Sequence, residues 1–82
     1  MIYPQTFILN GTRGALTRSQ IIRALETETH TVDELAAILG DTPRTLRDHL
    51  AVLKANNMVN AHERLDDTEY VLTDEALSLP KR

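Results

Sequence analysis

The fold of this chain is decided by residues 31–54, which read TVDELAAILGDTPRTLRDHLAVLK. Apolar residues recur in it at helical spacing, and they form two stripes separated by a short polar break. The first stripe consists of Val32, Leu35, Ala36 and Leu39. The second stripe consists of Leu46, His49, Leu50 and Leu53. The pattern predicts two consecutive helices, each with one buried face.

Residues at the ends of these two helices carry start and stop signals. Thr31 and Glu34 have the spacing of a capping box, in which each side chain satisfies a free N–H of the first turn. Gly40 suits the left-handed residue that ends a helix. Thr42 is a good N-cap, and Pro43 suits the first helical position. Because so few residues join the helices, they must cross steeply, as in a helix-turn-helix.

A further helix is predicted on the N-terminal side of this pair. Thr17 and Gln20 again have capping-box spacing, so we expect this helix to begin at Thr17 and to end near residues 27–29. Its apolar face consists of Ile21, Ile22 and Leu25.

A hairpin is predicted on the C-terminal side. Residues 58–64 and 69–73 alternate apolar and polar side chains, and residues 65–68 between them have the composition of a turn. Thr73 then precedes two acids, which predicts a short terminal helix.

The first 14 residues form a separate segment. Residues 6–9 are an apolar run between Pro4 and the Asn10-Gly11 pair, which predicts a strand or an extended arm. We therefore divide the chain into an arm, 1–14, and one domain, 15–82. The predicted class is α+β and mainly α, with three helices, a two-stranded hairpin, the short N-terminal strand or arm and a short C-terminal helix.

Composition excludes several classes of protein. The chain has no cysteine, which excludes disulfides and thiolate metal sites. No apolar run approaches the ~18 residues of a membrane span, so we expect a soluble, cytoplasmic protein without membrane contact. The three histidines are dispersed, and no nucleophile has an evident histidine partner. We expect no enzyme activity, no cofactor and no metal site; the histidines are His30, His49 and His62.

The net charge of −3 is unusual for a nucleic-acid binder, but the charges are unevenly distributed. Residues 41–57 carry three cations against two acids, whereas residues 58–82 carry six acids against three cations. The acidity is therefore concentrated outside the second helix of the helix-turn-helix.

Several segments resemble ArsR-like winged helix regulators. Residues 17–25, TRSQIIRAL, resemble the opening helix of that family. Residues 35–40, LAAILG, and 45–54, TLRDHLAVLK, followed by Met58-Val59, resemble its helix-turn-helix running into the first wing strand. The resemblance covers residues 17–77. It implies a transcriptional regulator whose third helix enters the major groove of double-stranded DNA, and whose relatives commonly form homodimers.

The resemblance and helix geometry indicate the same DNA-facing residues. By the resemblance, Pro43, Arg44, Arg47 and Asp48 face DNA. If the leucines of the third helix point inward, Arg44, Arg47 and Asp48 lie outside. The alternative is that the arginines are solvated charges and that Arg44 pairs with Asp48 four residues later. The full predicted set is Arg18, Thr42, Pro43, Arg44, Thr45, Arg47, Asp48, Lys54 and Arg64.

Acidic residues leave a second function open. Asp48 lies on the expected DNA face, and Asp66 and Asp67 lie at the expected wing tip, where Arg64 is the one cation. The alternative is a protein-interaction module whose acidic wing faces a basic partner. A continuous positive surface over Arg18, Arg44, Arg47 and Lys54 favours DNA, and interruption by Asp41 and Asp48 favours the alternative.

Overall fold

The structure is a computed structural model that describes residues 14–77. Four helices and three strands follow one another in this part of the chain. They are α1 (Ala15–Thr27), β1 (His30–Thr31), α2 (Val32–Leu39), α3 (Pro43–Ala55), β2 (Val59–Glu63), β3 (Thr68–Leu72) and α4 (Asp74–Leu77). The winged helix-turn-helix class is confirmed. The strand or arm predicted over residues 1–14 lies, apart from Gly14, outside the described residues.

The predicted ends of α2 and α3 are confirmed by hydrogen bonds. The Thr31 N–H donates to Glu34 Oε1 at 2.8 Å, and the Glu34 N–H donates to Thr31 Oγ1 at 3.2 Å, so the capping box is complete. Gly40 ends α2 with φ +68°, a left-handed conformation that costs glycine nothing. Thr42 then caps α3 by accepting from the Thr45 N–H at 3.2 Å.

The predicted start of α1 is wrong by two residues. The helix begins at Ala15 rather than at Thr17, and its N-cap is Gly14 in the left-handed conformation, without a side-chain cap. Thr17 therefore lies inside the first turn. The backbone determines this start, since the Arg18 N–H donates to the Gly14 carbonyl at 3.1 Å.

The sheet has three strands instead of the two that the sequence predicted. Its order is β1-β3-β2, and both neighbouring pairs are antiparallel. His30 of β1 lies opposite Tyr70, and on the other side of β3 Ala61 lies opposite the same residue. The sheet thus ties the wing hairpin to the segment between α1 and α2.

The core lies where the three long helices meet β2. Its fully buried side chains are Ile21, Leu35, Leu46, Leu50, Leu53, Met58 and Val59. The short α4 closes one end, because Thr73 Oγ1 accepts from the Ala76 N–H and donates to the Asn57 carbonyl. Burial of both apolar stripes against this core fixes which face of α3 is left to solvent.

Candidate nucleic-acid interface

The turn between α2 and α3 is short and fully hydrogen-bonded. The Asp41 N–H donates to the Ala36 carbonyl at 3.0 Å, which completes the end of α2 after Gly40. The Asp41 carboxylate accepts from the Thr42 N–H at 2.8 Å. This turn holds the first residues of α3 at one surface of the molecule.

The first turn of α3 presents small polar groups. Thr42 is exposed, while Pro43 and Thr45 are half-buried. The two threonine hydroxyls are 3.0 Å apart and hydrogen-bonded to each other. These three predicted site residues therefore lie together at the N-terminal end of α3, where helix geometry concentrates free N–H groups and partial positive charge.

Three predicted cations of α3 are exposed. Arg44 lies on the side of α3 opposite the buried leucines, whereas Arg47 and Lys54 lie at the flank of that buried face. Within residues 14–77 none of them forms an ion pair closer than 4.0 Å. The intrahelical pair between Arg44 and Asp48, considered as an alternative, is thus not formed. Their guanidinium and ammonium groups are available to an incoming ligand.

The remaining cation predicted on this surface, Arg18, is buried. Arg18 is only 5% exposed, and its Nη1 lies 3.4 Å from Nδ1 of His49. Burial lowers the pKa of Arg18 from its ordinary value. The cationic surface expected over Arg18, Arg44, Arg47 and Lys54 therefore loses its α1 member, which sequence reasoning missed because Arg18 looks like any polar helix residue.

The buried side chain of Arg18 contacts His49 of α3. The ring is half-buried on the inner side of α3, as the apolar stripe indicated. Burial lowers its pKa, the Arg18 charge lowers it further, and Asp41 and Asp48 oppose the shift. A Cβ on Gly14 would lie 2.6 Å from His49 Cε1, so the glycine leaves room for the ring. The contact joins α1 to α3 behind the exposed cations.

The wing differs from a cationic DNA-tracking hairpin. Nε of Arg64 lies 2.7 Å from Oε1 of Glu69, so the predicted wing cation is already paired. The other carboxylate oxygen of Glu69 accepts from the Thr29 hydroxyl at 3.3 Å. Asp66 and Asp67 are exposed at the tip beside a fully exposed Leu65. The tip is therefore acidic and apolar.

The described part of the chain offers neither a metal centre nor a membrane-spanning helix. Residues 14–77 contain no cluster of three histidine or carboxylate side chains able to hold a metal ion. His30 lies 3.8 Å from Glu28 and 3.6 Å from Glu34, but through its two opposite ring nitrogens. Of the helices described, none is long and apolar enough to span a bilayer.

Comparison with known proteins identifies the family. The model of the bacterial regulatory proteins of the arsR family matches residues 16–61, more than half of the chain. The chain belongs to the ArsR family. It is a DNA-binding transcriptional regulator, as the resemblance of the sequence implied. Proteins of this family are regulators and not enzymes, in line with the lack of a catalytic arrangement in the sequence. No curated protein matches it.

Solved structures of regulators share the fold of this ArsR-family chain. The transcriptional regulator HlyU from Vibrio vulnificus CMCP6 is 26% identical with a TM-score of 0.74, over 88% of this chain and 71% of its own. Reduced HlyU from Vibrio cholerae N16961 is 30% identical with a TM-score of 0.68, over 72% and 63% respectively. A possible transcriptional regulator for arsenical resistance is 25% identical with a TM-score of 0.72, over 77% and 66%. The chain thus spans about two thirds of the length of these regulators.

Proposed function

We propose that this regulator binds double-stranded DNA sequence-specifically, with α3 in the major groove. The observation that carries the proposal is the exposed, unpaired state of Arg44 and Arg47 near the N-terminal end of α3. In a helix-turn-helix the N-terminal residues of the second helix approach the base edges. A guanidinium can donate two hydrogen bonds to guanine O6 and N7.

The neighbouring residues suit supporting contacts. Thr42, Pro43 and Thr45 bring hydroxyls and a small ring to the same end of α3, and Lys54 adds a cation farther along the helix. Backbone phosphates accept hydrogen bonds from hydroxyl and ammonium groups, which fixes the register of a protein on the duplex. Arg18 and Arg64 have no part in this proposal, because one is buried and the other is paired with Glu69.

A binding titration with arginine variants tests the proposal. Duplexes from upstream of the gene and random duplexes are titrated with the wild type, Arg44→Ala and Arg47→Ala at two salt concentrations. Each variant that loses a bidentate base contact should lose about 1–3 kcal/mol of operator binding and discriminate less at one base pair. Arg23→Ala is the matched control, because Arg23 is an exposed arginine on α1.

Each result has a distinct meaning for α3. Equal losses on operator and random duplexes assign the arginine to phosphate rather than to a base. Unchanged binding in both variants contradicts the placement of α3 in the groove.

We further infer that the regulator works in the cytoplasm as a homodimer. The absence of cysteine from the sequence fits a reducing compartment. Leu16 of α1 and Leu77 of α4 are 75% and 54% exposed, so apolar surface is available on both terminal helices. Two copies would place two α3 helices on successive turns of the duplex.

A specific observation favours one alternative, a wing that binds a basic protein. Its cation is paired within the hairpin, and its tip exposes Leu65 beside Asp66 and Asp67. Such a tip is repelled by phosphate and attracted to lysine and arginine. Neutralising Asp66 and Asp67 distinguishes the two functions, since it would weaken a protein complex but strengthen DNA binding.

A further inference from the structure

Asp48 places an acid among the cations of α3. It lies one helical turn after Arg44 and directly after Arg47, and its side chain is exposed. The neighbouring Leu46 and Leu50 are buried on the opposite side of the helix. A surface that receives the two arginines therefore also meets this carboxylate.

Within the described fold, the carboxylate of Asp48 acts through its charge alone, which raises the pKa of His49 against the effects of burial and Arg18. Other acids near the interface stabilise the fold: Asp41 accepts from Thr42, Asp67 accepts from the Thr68 N–H, and Glu69 pairs with Arg64. In the part of the chain that the structure describes, Asp48 takes part in no hydrogen bond or ion pair. Its oxygens are free to accept from a ligand.

A duplex offers such an oxygen few partners. An ionised carboxylate only accepts hydrogen bonds, and phosphate oxygens, guanine O6 and N7, and thymine O4 are acceptors too. The amines of cytosine N4 and adenine N6 are the donors on the major-groove edges. Adenine carries the acceptor N7 beside its amine, whereas cytosine presents its amine without a neighbouring acceptor. Cytosine is thus the base that suits an acid best.

We propose that Asp48 is a specificity-determining residue that reads a cytosine. Its carboxylate accepts a hydrogen bond from cytosine N4 at one operator position, and it repels phosphate and acceptor edges wherever that base is absent. The inference rests on the proposed position of α3 in the major groove. In that position an acid increases specificity. Its charge weakens binding to every sequence without the cytosine, so the ratio of operator affinity to random-DNA affinity rises.

The two arginines and Asp48 would therefore have opposite effects on the affinity of α3 for DNA. Arg44 and Arg47 attract both operator and random DNA, while Asp48 subtracts from both and is compensated only at the correct base. Two unit charges about 4 Å apart in water change an equilibrium about fivefold. Removing the charge should therefore strengthen binding to random duplexes about fivefold at low salt, and less as salt screens it.

Selection from a pool of randomised duplexes tests the inference without knowledge of the operator. The full chain, Asp48→Asn and Asp48→Ala are each used to enrich duplexes, which are then sequenced. The wild type should enrich cytosine at one position. Asp48→Asn should change that base to adenine, because an amide pairs with adenine N6 and N7 together. Asp48→Ala should relax the position while the bases read by the arginines stay the same.

Asp74→Asn, which removes an exposed acid from α4, is the matched control and should reproduce the wild-type motif. If both Asp48 variants enrich the wild-type motif and bind random duplexes as weakly as the wild type, Asp48 does not read DNA and the inference is overturned. If the wild type itself enriches no sequence, the proposed sequence-specific binding is contradicted, and the inference about Asp48 is overturned as well. Circular dichroism establishes that each variant is folded.

Discussion

His49 occupies a position where an added proton is unfavourable. Its Nδ1 faces the guanidinium of Arg18 at 3.4 Å, and the ring packs beside Gly14. Burial is the main cause of its lowered pKa, and the Arg18 charge adds to it against the opposing charges of Asp41 and Asp48. A neutral imidazole can accept from the guanidinium, whereas an imidazolium there is a second cation.

We expect this residue to make the domain less stable in acid. The pKa of His49 is lower in the folded protein than its value of 6.5 in the unfolded chain, so the unfolded chain binds more protons below that pH. Its contribution to stability is therefore complete above pH 6.5 and is lost as the pH falls from 6.5 towards the folded value. Denaturant titrations from about pH 8 to 5 measure the loss.

His49→Gln should flatten this acid dependence, whatever it does to stability at neutral pH. His62→Gln is the control, because His62 is an exposed histidine of β2, and it should keep the wild-type profile. An equally steep acid loss in His49→Gln would show that the titrating group lies elsewhere.

The two helix starts that the sequence predicted from capping-box threonines have different outcomes in the structure. Thr31 forms both bonds of its capping box with Glu34, whereas Thr17 lies in the first turn of a helix that begins at Ala15. Thr31→Ala should lower the free energy of unfolding by about 1 kcal/mol. Thr17→Ala should change it by less than about 0.5 kcal/mol. Thermal or urea unfolding compares them, and equal losses would contradict the assigned start of α1.

The same contrast shows what the sequence could predict about the elements. Gly40, Thr42 and Pro43 act through their own backbone preferences, so the turn and the exposed face of α3 were predictable. Gly14 begins α1 without a side-chain cap, and β1 has only two residues, so neither leaves a local pattern.

Tertiary contacts account for the remaining differences. β1 exists because His30 and Thr31 pair with β3, forty residues farther along the chain. Arg18 is buried where α1 meets His49 of α3, and Arg64 is paired with Glu69 of β3. The contacts of β1 with β3 and of Arg18 with His49 join residues far apart in the sequence, whereas Arg64 and Glu69 flank the predicted wing loop. Which side chains lie together at the candidate interface was therefore less predictable than the location of that interface on α3.

The wing hairpin gives a further prediction at this scale. Asp66→Asn with Asp67→Asn removes two charges from its exposed tip. If the tip lies near the duplex, binding should tighten at low salt, on random and specific DNA alike, because phosphate contact carries no sequence information. The effect should fade above about 0.1 M salt, where the Debye length is about 10 Å.

Fluorescence anisotropy at two salt concentrations measures this effect. The Asp67 carboxylate accepts from the Thr68 N–H, so circular dichroism must show that the hairpin persists. Unchanged affinity at low salt would mean that the wing stands clear of DNA and that α3 is the principal contact.

For the whole molecule, symmetry determines the form of the operator. If two copies bind together, the operator should contain two half-sites whose centres are about 10 base pairs, or a multiple, apart. Sedimentation at micromolar concentration, with and without duplex, gives the mass. Leu16→Lys, which charges an exposed position of α1, should shift a dimer towards monomer if α1 forms the interface.

Leu65→Lys is the comparison, because Leu65 is equally apolar and fully exposed but lies on the wing. It should leave the mass unchanged. A monomeric mass for the wild type, retained on DNA, would reject the two-fold operator.

The bracing of the hairpin has a consequence for how such a regulator can diversify. Glu69 holds Arg64 and Thr29 together at the base of the wing, and the Arg64 N–H closes the loop on the Asp67 carbonyl at 2.7 Å. Residues 65–67 beyond this point are exposed and contribute nothing to the buried core. Leu65 and Asp66 can therefore be replaced with little effect on the buried core, so that the charge which the wing presents can change while the fold stays the same.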